Sequence, residues 1–385
     1  MIISRTILKN WRNFRSVDVR MGRRVFLVGP NASGKSNFLD VFRFLRDIAK
    51  PGGGLQKAVS DRGGISKIRC LAARKDPQVE IAVHLAEGNG NDPVWQYAIG
   101  ILQESRGYRQ PYLKYEKVWK GAELILNRPD SHDREDKLRL TQTHIEQINA
   151  NFLFRDVAEF FQTIGYSHLV PQLLRYPDAF AGPAPAGFED PFGRTFLEQV
   201  VQTPEKTRKA RLRKIEKALR LAVPQLKQLT DTKDERGIPH LEAVYEHWRP
   251  HAGKQTEEQF SDGTLRLIGF LWSMLEGDSL LLLEEPELSL HAAIIRKLPG
   301  LIWRMQSKKK RQIVISTHSY DLLSDKGIGG EEVLLLTPGV EGTKVEPAAE
   351  IAEVHQLLES GFSVAEAALP RTEPKDIGQL SLFND

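Results

Sequence analysis

The chain has 385 residues, of which 41% are hydrophobic and 27% charged, so it suits two or three globular domains and excludes general disorder. Its formal net charge of +4 is only a weak sign of a polyanionic partner. Cys70 is the only cysteine, which excludes an internal disulfide and a thiolate metal cluster and favours a reducing, cytoplasmic setting.

The N-terminal part is predicted to alternate between strands and one helix. Residues 1–30 form strand, turn and strand, ending in the apolar run Arg24–Val28. Apolar residues at helical spacing then predict a helix over 36–45. Alternation with period two predicts antiparallel strands over 78–85 and 95–101.

The rest of the chain changes pattern twice. From about residue 141 it is helical in period, and the basic segment Lys206–Arg220 is predicted to be one helix. From Gln259 helices and strands alternate again, with strands at 280–283 and 312–316. We therefore predict an N-terminal lobe (1–140), a mainly helical insertion (141–255), a C-terminal lobe (256–345) and a tail (346–385).

The phosphate-binding pattern G-x-x-x-x-G-K-S lies between the strand ending at Val28 and the helix that follows. Glycines let backbone N–H groups surround phosphates, and the helix N-terminus adds a positive dipole end. Lys35 supplies a point charge for phosphates, and the Ser36 hydroxyl is a ligand suited to Mg²⁺. The predicted nucleotide-binding residues here are Gly29, Pro30, Asn31, Ala32, Ser33, Gly34, Lys35, Ser36 and Asn37.

Two acids follow the second apolar strand, Leu280–Leu283, in the pattern of a Walker B strand. Glu284 is the predicted metal ligand, in a position where Asp is more usual. Glu285 is placed to accept a proton from the attacking water and is the predicted catalytic base. Alone, such acids are as consistent with an exposed turn, but the phosphate loop favours the catalytic interpretation.

Three further segments indicate a family. Ser261-Asp262-Gly263, before an apolar helix, resembles the signature motif of ABC-type ATPases in the form found in SMC/RecF-like proteins, with Ser261 capping the helix. The strand ending in Thr317-His318 resembles the switch-histidine strand of this class. Pro286–His291 resembles its D-loop in the form found in OLD-like AAA family ATPases.

The resemblance implies an α/β fold, a P-loop ABC-type head with a mixed sheet flanked by helices, that binds ATP and Mg²⁺. It implies catalytic roles for Glu285, His318 and Lys35, and signature contacts to ATP from Ser261, Asp262 and Gly263. The Asn-Phe-Arg start of SMC/RecF-type proteins is also present, which places Asn13 and Arg15 near the nucleotide. The Q-loop glutamine stays open between Gln78 and Gln96.

Three functions compete on this basis. The favoured one is an ATP hydrolase whose heads form a homodimer around ATP and gate a separate nuclease-like or toxin-like effector, in anti-phage defence or toxin regulation. The alternative is a RecF-like repair ATPase that binds DNA or RNA through Lys206–Arg220, although that segment is equally consistent with a solvated helix. A transporter subunit is less favoured, and no apolar stretch reaches the ~20 residues of a membrane span.

Overall fold

The computed structural model describes residues 1–73, 76–88, 92–105, 109–176, 192–247 and 253–373. The β-strands are β1 (Ile2–Trp11), β2 (Phe14–Arg20), β3 (Arg24–Val28), β4 (Val79–Ala86), β5 (Trp95–Gln103), β6 (Pro111–Lys120), β7 (Glu123–Arg128), β8 (Gly165–Ser167), β9 (Leu226–Lys233), β10 (Pro239–Tyr245), β11 (Lys254–Thr256), β12 (Leu281–Glu284), β13 (Ile313–Thr317), β14 (Val333–Thr337) and β15 (Lys344–Pro347).

Helices lie between groups of these strands, and within the described residues none has the length and apolar character of a membrane span. They are α1 (Lys35–Ala49), α2 (Leu55–Ser60), α3 (Ile65–Ile68), α4 (Ser131–Glu135), α5 (Arg155–Gln162), α6 (Pro171–Arg175), α7 (Phe196–Gln202), α8 (Glu205–Ala222), α9 (Asp262–Leu275), α10 (Ala292–Ile295), α11 (Leu298–Lys309), α12 (Tyr320–Leu323), α13 (Ala352–Glu359) and α14 (Val364–Ala368).

The chain divides into two compact units. The first contains Met1–Gly165, Asp278–Leu282 and the chain from Gln306 onward, and the second contains Tyr166–Gly277 and Leu283–Met305. The first unit thus joins the two ends of the chain, whereas residues 256–277 and 283–305 of the predicted C-terminal lobe belong to the second unit. Its first stretch ends at Gly165 rather than at the predicted boundary of residue 140.

The first unit contains one whole sheet and most of another. One is antiparallel, with strand order β2-β1-β4-β5-β6-β7, and β4 buries every second residue as its sequence predicts. The other has the order β15-β14-β3-β13-β12-β8. Its strand β3 lies between two parallel neighbours and is buried along its whole length, which explains its unbroken apolar run.

Helix α1 is anchored in the first unit by aromatic side chains. Phe38, Phe42 and Phe44 are fully buried, and the Phe44 ring lies 5.2 Å from that of Trp11 between centroids. On its polar side, α1 directs Asp40 to the guanidinium groups of Arg12 and Arg62 at 2.6 and 2.9 Å. The helix that follows the phosphate loop is therefore fixed on both faces.

The predicted insertion contains a small sheet beside its helices. The insertion 141–255, predicted to be mainly helical, does contain α5–α8, but it also contains most of a three-stranded antiparallel sheet of order β11-β10-β9. Helix α8 lies against β9 and buries Leu212, Ile215 and Leu219 on one face. Most of the predicted Pro- and Gly-rich connector at 177–193 lies outside the described residues.

Candidate functional site

The phosphate loop connects β3 to α1 in the first unit. Lys35 is 7% exposed, and its ammonium group donates to the carbonyls of Gly29 at 2.9 Å and Pro30 at 3.1 Å. The loop therefore curves around the lysine, and the charge is held inside it. Ser36, the predicted metal ligand, is exposed in the first turn of α1, where its hydroxyl is accessible from solvent.

The backbone of the loop suits a polyphosphate. Ala32 and Gly34 adopt left-handed conformations, with φ of 62° and 100°, and such turns direct consecutive N–H groups into one concavity. Gly34 is the N-cap of α1 and provides no side-chain cap. The Ser33 hydroxyl is buried with no hydrogen-bond partner among the described residues. These features fit a phosphate ligand that accepts hydrogen bonds from the loop.

Asn13 holds the loop from the turn between β1 and β2. Its side-chain amide donates to the carbonyl of Ser33 at 2.8 Å and to the hydroxyl of Thr343 at 2.7 Å. Its side-chain oxygen accepts from Asn37 at 2.8 Å. Arg15 forms an ion pair with Glu341. Asn13 therefore contacts the loop itself, whereas the contact of Arg15 to a nucleotide stays a prediction.

His318 and the phosphate loop leave the same edge of one sheet. Strands β13 and β3 are parallel, and Thr317 is paired with Val28, the residue before the loop. His318 is exposed immediately after this pair. Because Thr317 and Val28 are partners in the register, His318 and Gly29 are the next residues along two neighbouring strands, and the contact of His318 with a γ-phosphate stays a prediction.

Glu284 and Glu285 mark the end of β12 in the second unit. Tyr166 in β8 and His168 just after it both contact Glu284. The Tyr166 hydroxyl donates to the Glu284 carboxylate, and a ring nitrogen of His168 lies 3.2 Å from the Glu284 main-chain carbonyl. Glu285 has φ of 43°, in the left-handed region that is strained for a residue with a side chain. Tyr166 and His168 were not identified from the sequence.

The signature segment is also ordered by local contacts in the second unit. Ser261 is the N-cap of α9, and its hydroxyl accepts from the Thr264 amide at 3.2 Å, which confirms the predicted cap. The Asp262 carboxylate is held by Arg175 at 2.6 Å and by Gln172 at 3.2 Å. Asp262 is thus fixed by protein groups at the helix N-terminus.

The predicted D-loop, Pro286–His291, packs on the signature. A Cβ added to Gly263 would lie 2.6 Å from the carbonyl oxygen of Ser289, so only glycine permits this approach. Ser289 has φ of 63°, and a ring nitrogen of His291 caps α10 by accepting from the Ala293 amide at 3.1 Å. Signature and D-loop therefore form one packed element.

Arg266 extends from α9 into the same region. It lines a small cleft with Ser167, Leu169, Phe270, Leu283, Glu284 and Pro286. Burial lowers the pKa of its guanidinium, and the carboxylates of Asp262, Glu285 and Glu287 act in the opposite direction. The acids at the end of β12 thus share an electrostatic environment with the signature helix.

The two glutamines weighed for the Q-loop lie in the antiparallel sheet. Gln78 accepts a hydrogen bond from Lys114 at 2.5 Å, and Gln96 is paired with Trp119 and His84 on neighbouring strands. Both side chains belong to a sheet whose strands do not include β3 or β13. Neither arrangement supports a phosphate-sensing role.

No group of three or more His, Cys, Asp or Glu side chains within the described residues is arranged to hold a metal ion by itself. Mg²⁺ is usually bound by one or two protein oxygens together with substrate phosphates. Ser36 and Glu284 supply oxygens of the required kind. The first unit thus brings together the phosphate loop, Asn13 and His318, and the second brings together the signature, Glu284 and Glu285.

Comparisons with known proteins agree with this arrangement. The family model described as "AAA domain, putative AbiEii toxin, Type IV TA system" matches residues 24–325, a span that includes every motif from the phosphate loop to His318. The solved structure of an SMC head bound to the C-winged helix domain of ScpA has 14% identity and a TM-score of 0.53, with 90% of this chain and 98% of that chain covered.

Two more solved heads are similar to the chain. An SMC head domain from Thermotoga maritima has 14% identity and a TM-score of 0.46, over 90% of this chain and 99% of that chain. An SMC head with an extended coiled coil, bound to the C-terminal domain of ScpA from Pyrococcus furiosus, has 13% identity and a TM-score of 0.49, over 93% and 99%. No curated protein matches the chain. The similarity at a TM-score of 0.53 confirms the predicted α/β head fold.

Proposed function

Because the chain belongs to the AAA-domain family whose model matches residues 24–325, we propose that it is a Mg²⁺-dependent ATP hydrolase. The observation that carries the proposal is the phosphate loop, in which Lys35 is enclosed by the carbonyls of Gly29 and Pro30. A buried ammonium group held by two main-chain oxygens is prepared for phosphate oxygens, which are stronger acceptors. The left-handed turns at Ala32 and Gly34 support the same ligand.

Each site residue receives a role in this proposal. Lys35 and the loop amides bind the phosphates, Ser36 and Glu284 hold the metal ion, and Glu285 accepts the proton of the attacking water. Bound Mg²⁺ supplies charge compensation on the phosphates. His318 contacts the γ-phosphate from the strand end beside the loop.

We further propose that ATP joins two heads. Ser261 is exposed at the N-terminus of α9, which is 14 residues long, and such a terminus favours an anionic ligand. In a homodimer this terminus meets the γ-phosphate bound by the other copy, so that hydrolysis releases the contact. The state of the dimer then gates a separate nuclease-like or toxin-like effector in anti-phage defence or toxin regulation.

Two comparisons support an effector partner. The description of the matching family includes a toxin of a type IV toxin–antitoxin system. The SMC head in the similar structure is bound to a winged-helix domain of a second protein. We propose that this chain likewise engages a second protein, in a manner that depends on ATP.

The hydrolase is tested with two variants. Lys35→Ala should lose ATP binding, whereas Glu285→Gln should bind ATP, lose at least ~100-fold in turnover and accumulate as an ATP-dependent dimer. Phosphate release and light scattering measure these effects. An unchanged rate in Glu285→Gln would remove the base assignment, and a wild-type protein without ATPase activity would contradict the proposal itself.

The effector is tested by native purification from the operon context. With ATP present, tagged Glu285→Gln should retain a nuclease-like or toxin-like subunit that Lys35→Ala does not retain. The two tagged variants differ in whether they hold ATP but share the rest of their surface. A difference in the amount of subunit recovered would therefore show that ATP controls the interaction. Equal recovery with both baits would contradict gating by ATP.

One observation favours a second candidate, a RecF-like ATPase that binds duplex nucleic acid. On α8, Lys206, Arg213, Lys214 and Lys217 are exposed, and within the described residues none has an acidic group at ion-pair distance. Lys206, Arg213 and Lys217 lie on one face of the helix, opposite its buried leucines. The helix contains no aromatic residue on which unpaired bases could stack, so its chemistry suits a phosphate backbone.

The test of this candidate is salt-dependent binding. Changing Lys206, Arg213 and Lys217 together to Glu should weaken duplex DNA binding and reduce the salt slope by about 3. The control changes the exposed Arg20, Lys67 and Lys137 to Glu, which alters the net charge equally. Equal losses in both triple variants would show a general charge effect and contradict a surface on α8.

A further inference from the structure

We infer that Tyr166 and His168 are positioning residues that hold Glu284 for the metal ion bound with ATP. The inference deepens the proposed function and rests on it, since it concerns the metal ligand of the proposed hydrolase. Both residues lie in the second unit with Glu284, and neither belongs to a recognised motif of the sequence.

Two separate contacts converge on this one glutamate. The Tyr166 hydroxyl donates to a carboxylate oxygen of Glu284, and a ring nitrogen of His168 lies 3.2 Å from the main-chain carbonyl of the same residue. Tyr166 and His168 are two positions apart at the end of a strand, so their side chains leave on the same side. Side chain and backbone of Glu284 are therefore held by one segment.

This restraint has a physical purpose at this position. Glutamate has one more rotatable bond than the aspartate that is usual after a Walker B strand, so its carboxylate has more positions available. The Tyr166 hydroxyl limits those positions by donating to one carboxylate oxygen of Glu284. Because the phenol is uncharged, it does not compete with the metal ion as a cationic side chain would. The His168 contact restrains the carbonyl that precedes Glu285, whose φ of 43° requires a defined peptide orientation.

The segment that carries these residues is itself anchored. The His168 ring packs edge-to-face with Phe192, with centroids 6.0 Å apart. The next residue, Leu169, fills the surface of α9 at Gly269, where an added Cβ would lie 2.2 Å from a Leu169 methyl group. The close approach of the Leu169 side chain thus accounts for a glycine within α9.

The experiment measures metal binding directly. Mn²⁺ replaces Mg²⁺, and electron paramagnetic resonance follows its binding to the full chain with a non-hydrolysable ATP analogue. Tyr166→Phe should weaken Mn²⁺ affinity about 10-fold, in the range found for groups that orient metal ligands. Analogue affinity without metal should be unchanged, because the phenol contacts the glutamate and not the phosphate loop.

The matched control is Tyr115→Phe. Tyr115 also donates its hydroxyl to a carboxylate, that of Glu80 at 2.8 Å, but it lies in the antiparallel sheet of the first unit. The control should leave Mn²⁺ affinity unchanged while removing the same kind of bond. His168→Ala should weaken Mn²⁺ binding, and His168→Asn, which retains a donor, should recover most of the loss.

Glu284→Ala separates the inference from the proposed function. If Glu284→Ala lowers Mn²⁺ affinity but Tyr166→Phe stays within twofold of wild type, the inference is wrong and the metal ligand stands. If Glu284→Ala binds Mn²⁺ like wild type, the assignment of the ligand is wrong and the inference falls with it. In the Glu284→Ala background, Tyr166→Phe should cause no further loss, and an additive loss would also overturn the inference.

Discussion

The side-chain amide of Asn13 donates to the carbonyl of Ser33, 2.8 Å away, and so joins the first turn of the chain to the phosphate loop. A second bond from Asn37 to Asn13 connects the same side chain to α1. Asn13 therefore links the end of the phosphate loop to the first turn of α1. Gly34 of the loop lies so close to Asn13 that a side chain at Gly34 would clash with the amide group of Asn13.

The first prediction concerns Asn13→Ala. Loss of these bonds frees the loop carbonyl and should weaken ATP binding about tenfold, since each such bond contributes roughly 1 kcal/mol. Isothermal titration with a non-hydrolysable analogue measures it. Asn127→Ala, at an exposed position of β7, is the control and should bind like wild type. Equal affinity of Asn13→Ala and the control would contradict the role.

Local sequence signals predicted the parts of the site that local physics determines. Ser261 was identified as a cap because Ser accepts from the amides of a helix start, and it does so here. The apolar run of β3 and the glycines after it likewise defined the phosphate loop. Tyr166 and Thr343 were missed because their contacts join residues far apart in the chain, 118 positions for Tyr166 and Glu284.

The second prediction follows from the contact between signature and D-loop. Gly263→Ala should displace Ser289, because the new methyl group would lie 2.6 Å from the Ser289 carbonyl oxygen. A backbone oxygen cannot rotate aside as the end of a side chain can. We expect ATP turnover to fall at least tenfold, with ATP affinity of the phosphate loop retained. Steady-state hydrolysis and analogue binding separate these two effects.

A helical glycine provides the control for this variant. Gly300 lies in α11, and an added Cβ would meet no atom within 4 Å. Gly300→Ala should therefore retain full turnover and gain about 0.5–1 kcal/mol of unfolding free energy. A wild-type rate in Gly263→Ala would show that the D-loop tolerates displacement.

The strands of the insertion show why part of the fold was not predicted. In β9 the buried leucines, Leu226 and Leu229, are three positions apart and the residues between them are exposed. This spacing imitates a helix, and it follows a basic segment that is helical. The sheet is formed by pairing with β10, a tertiary contact that overrides the local pattern.

The backbone of Glu285 could not be predicted for a different reason. Its identity as an acid after an apolar strand indicated catalysis, but φ of 43° is unusual for glutamate and has no signal in the residue type. The strain is maintained by neighbours, including the contacts on Glu284. The residue type therefore indicates a chemical role for Glu285 but not the backbone conformation in which it is held.

The last prediction concerns the ion pairs that hold α1. Burial alone would raise the pKa of Asp40, but the guanidinium groups of Arg62 and Arg12 hold that pKa below its usual value. Because the folded pKa is lowered, the stabilisation is fully present above the unfolded value of ~3.9 and is lost as pH falls through the folded pKa. Asp40→Asn should cost about 3 kcal/mol at pH 7, as expected when a buried pair is broken.

Urea unfolding from pH 7 to pH 3 measures this difference. The gap between wild type and Asp40→Asn should be constant down to about pH 5. Below that it should shrink, because the unfolded state takes up a proton on Asp40 at a higher pH than the folded state does. Asp61→Asn is the control, because Asp61 forms an exposed pair with Lys57 on one helix turn and should cost below ~0.5 kcal/mol. A neutral carboxyl and an amide have nearly the same shape, so Asp40→Asn changes the packing little. A gap that is as wide at pH 3 as at pH 7 would therefore contradict the assignment of the cost to the charge of Asp40.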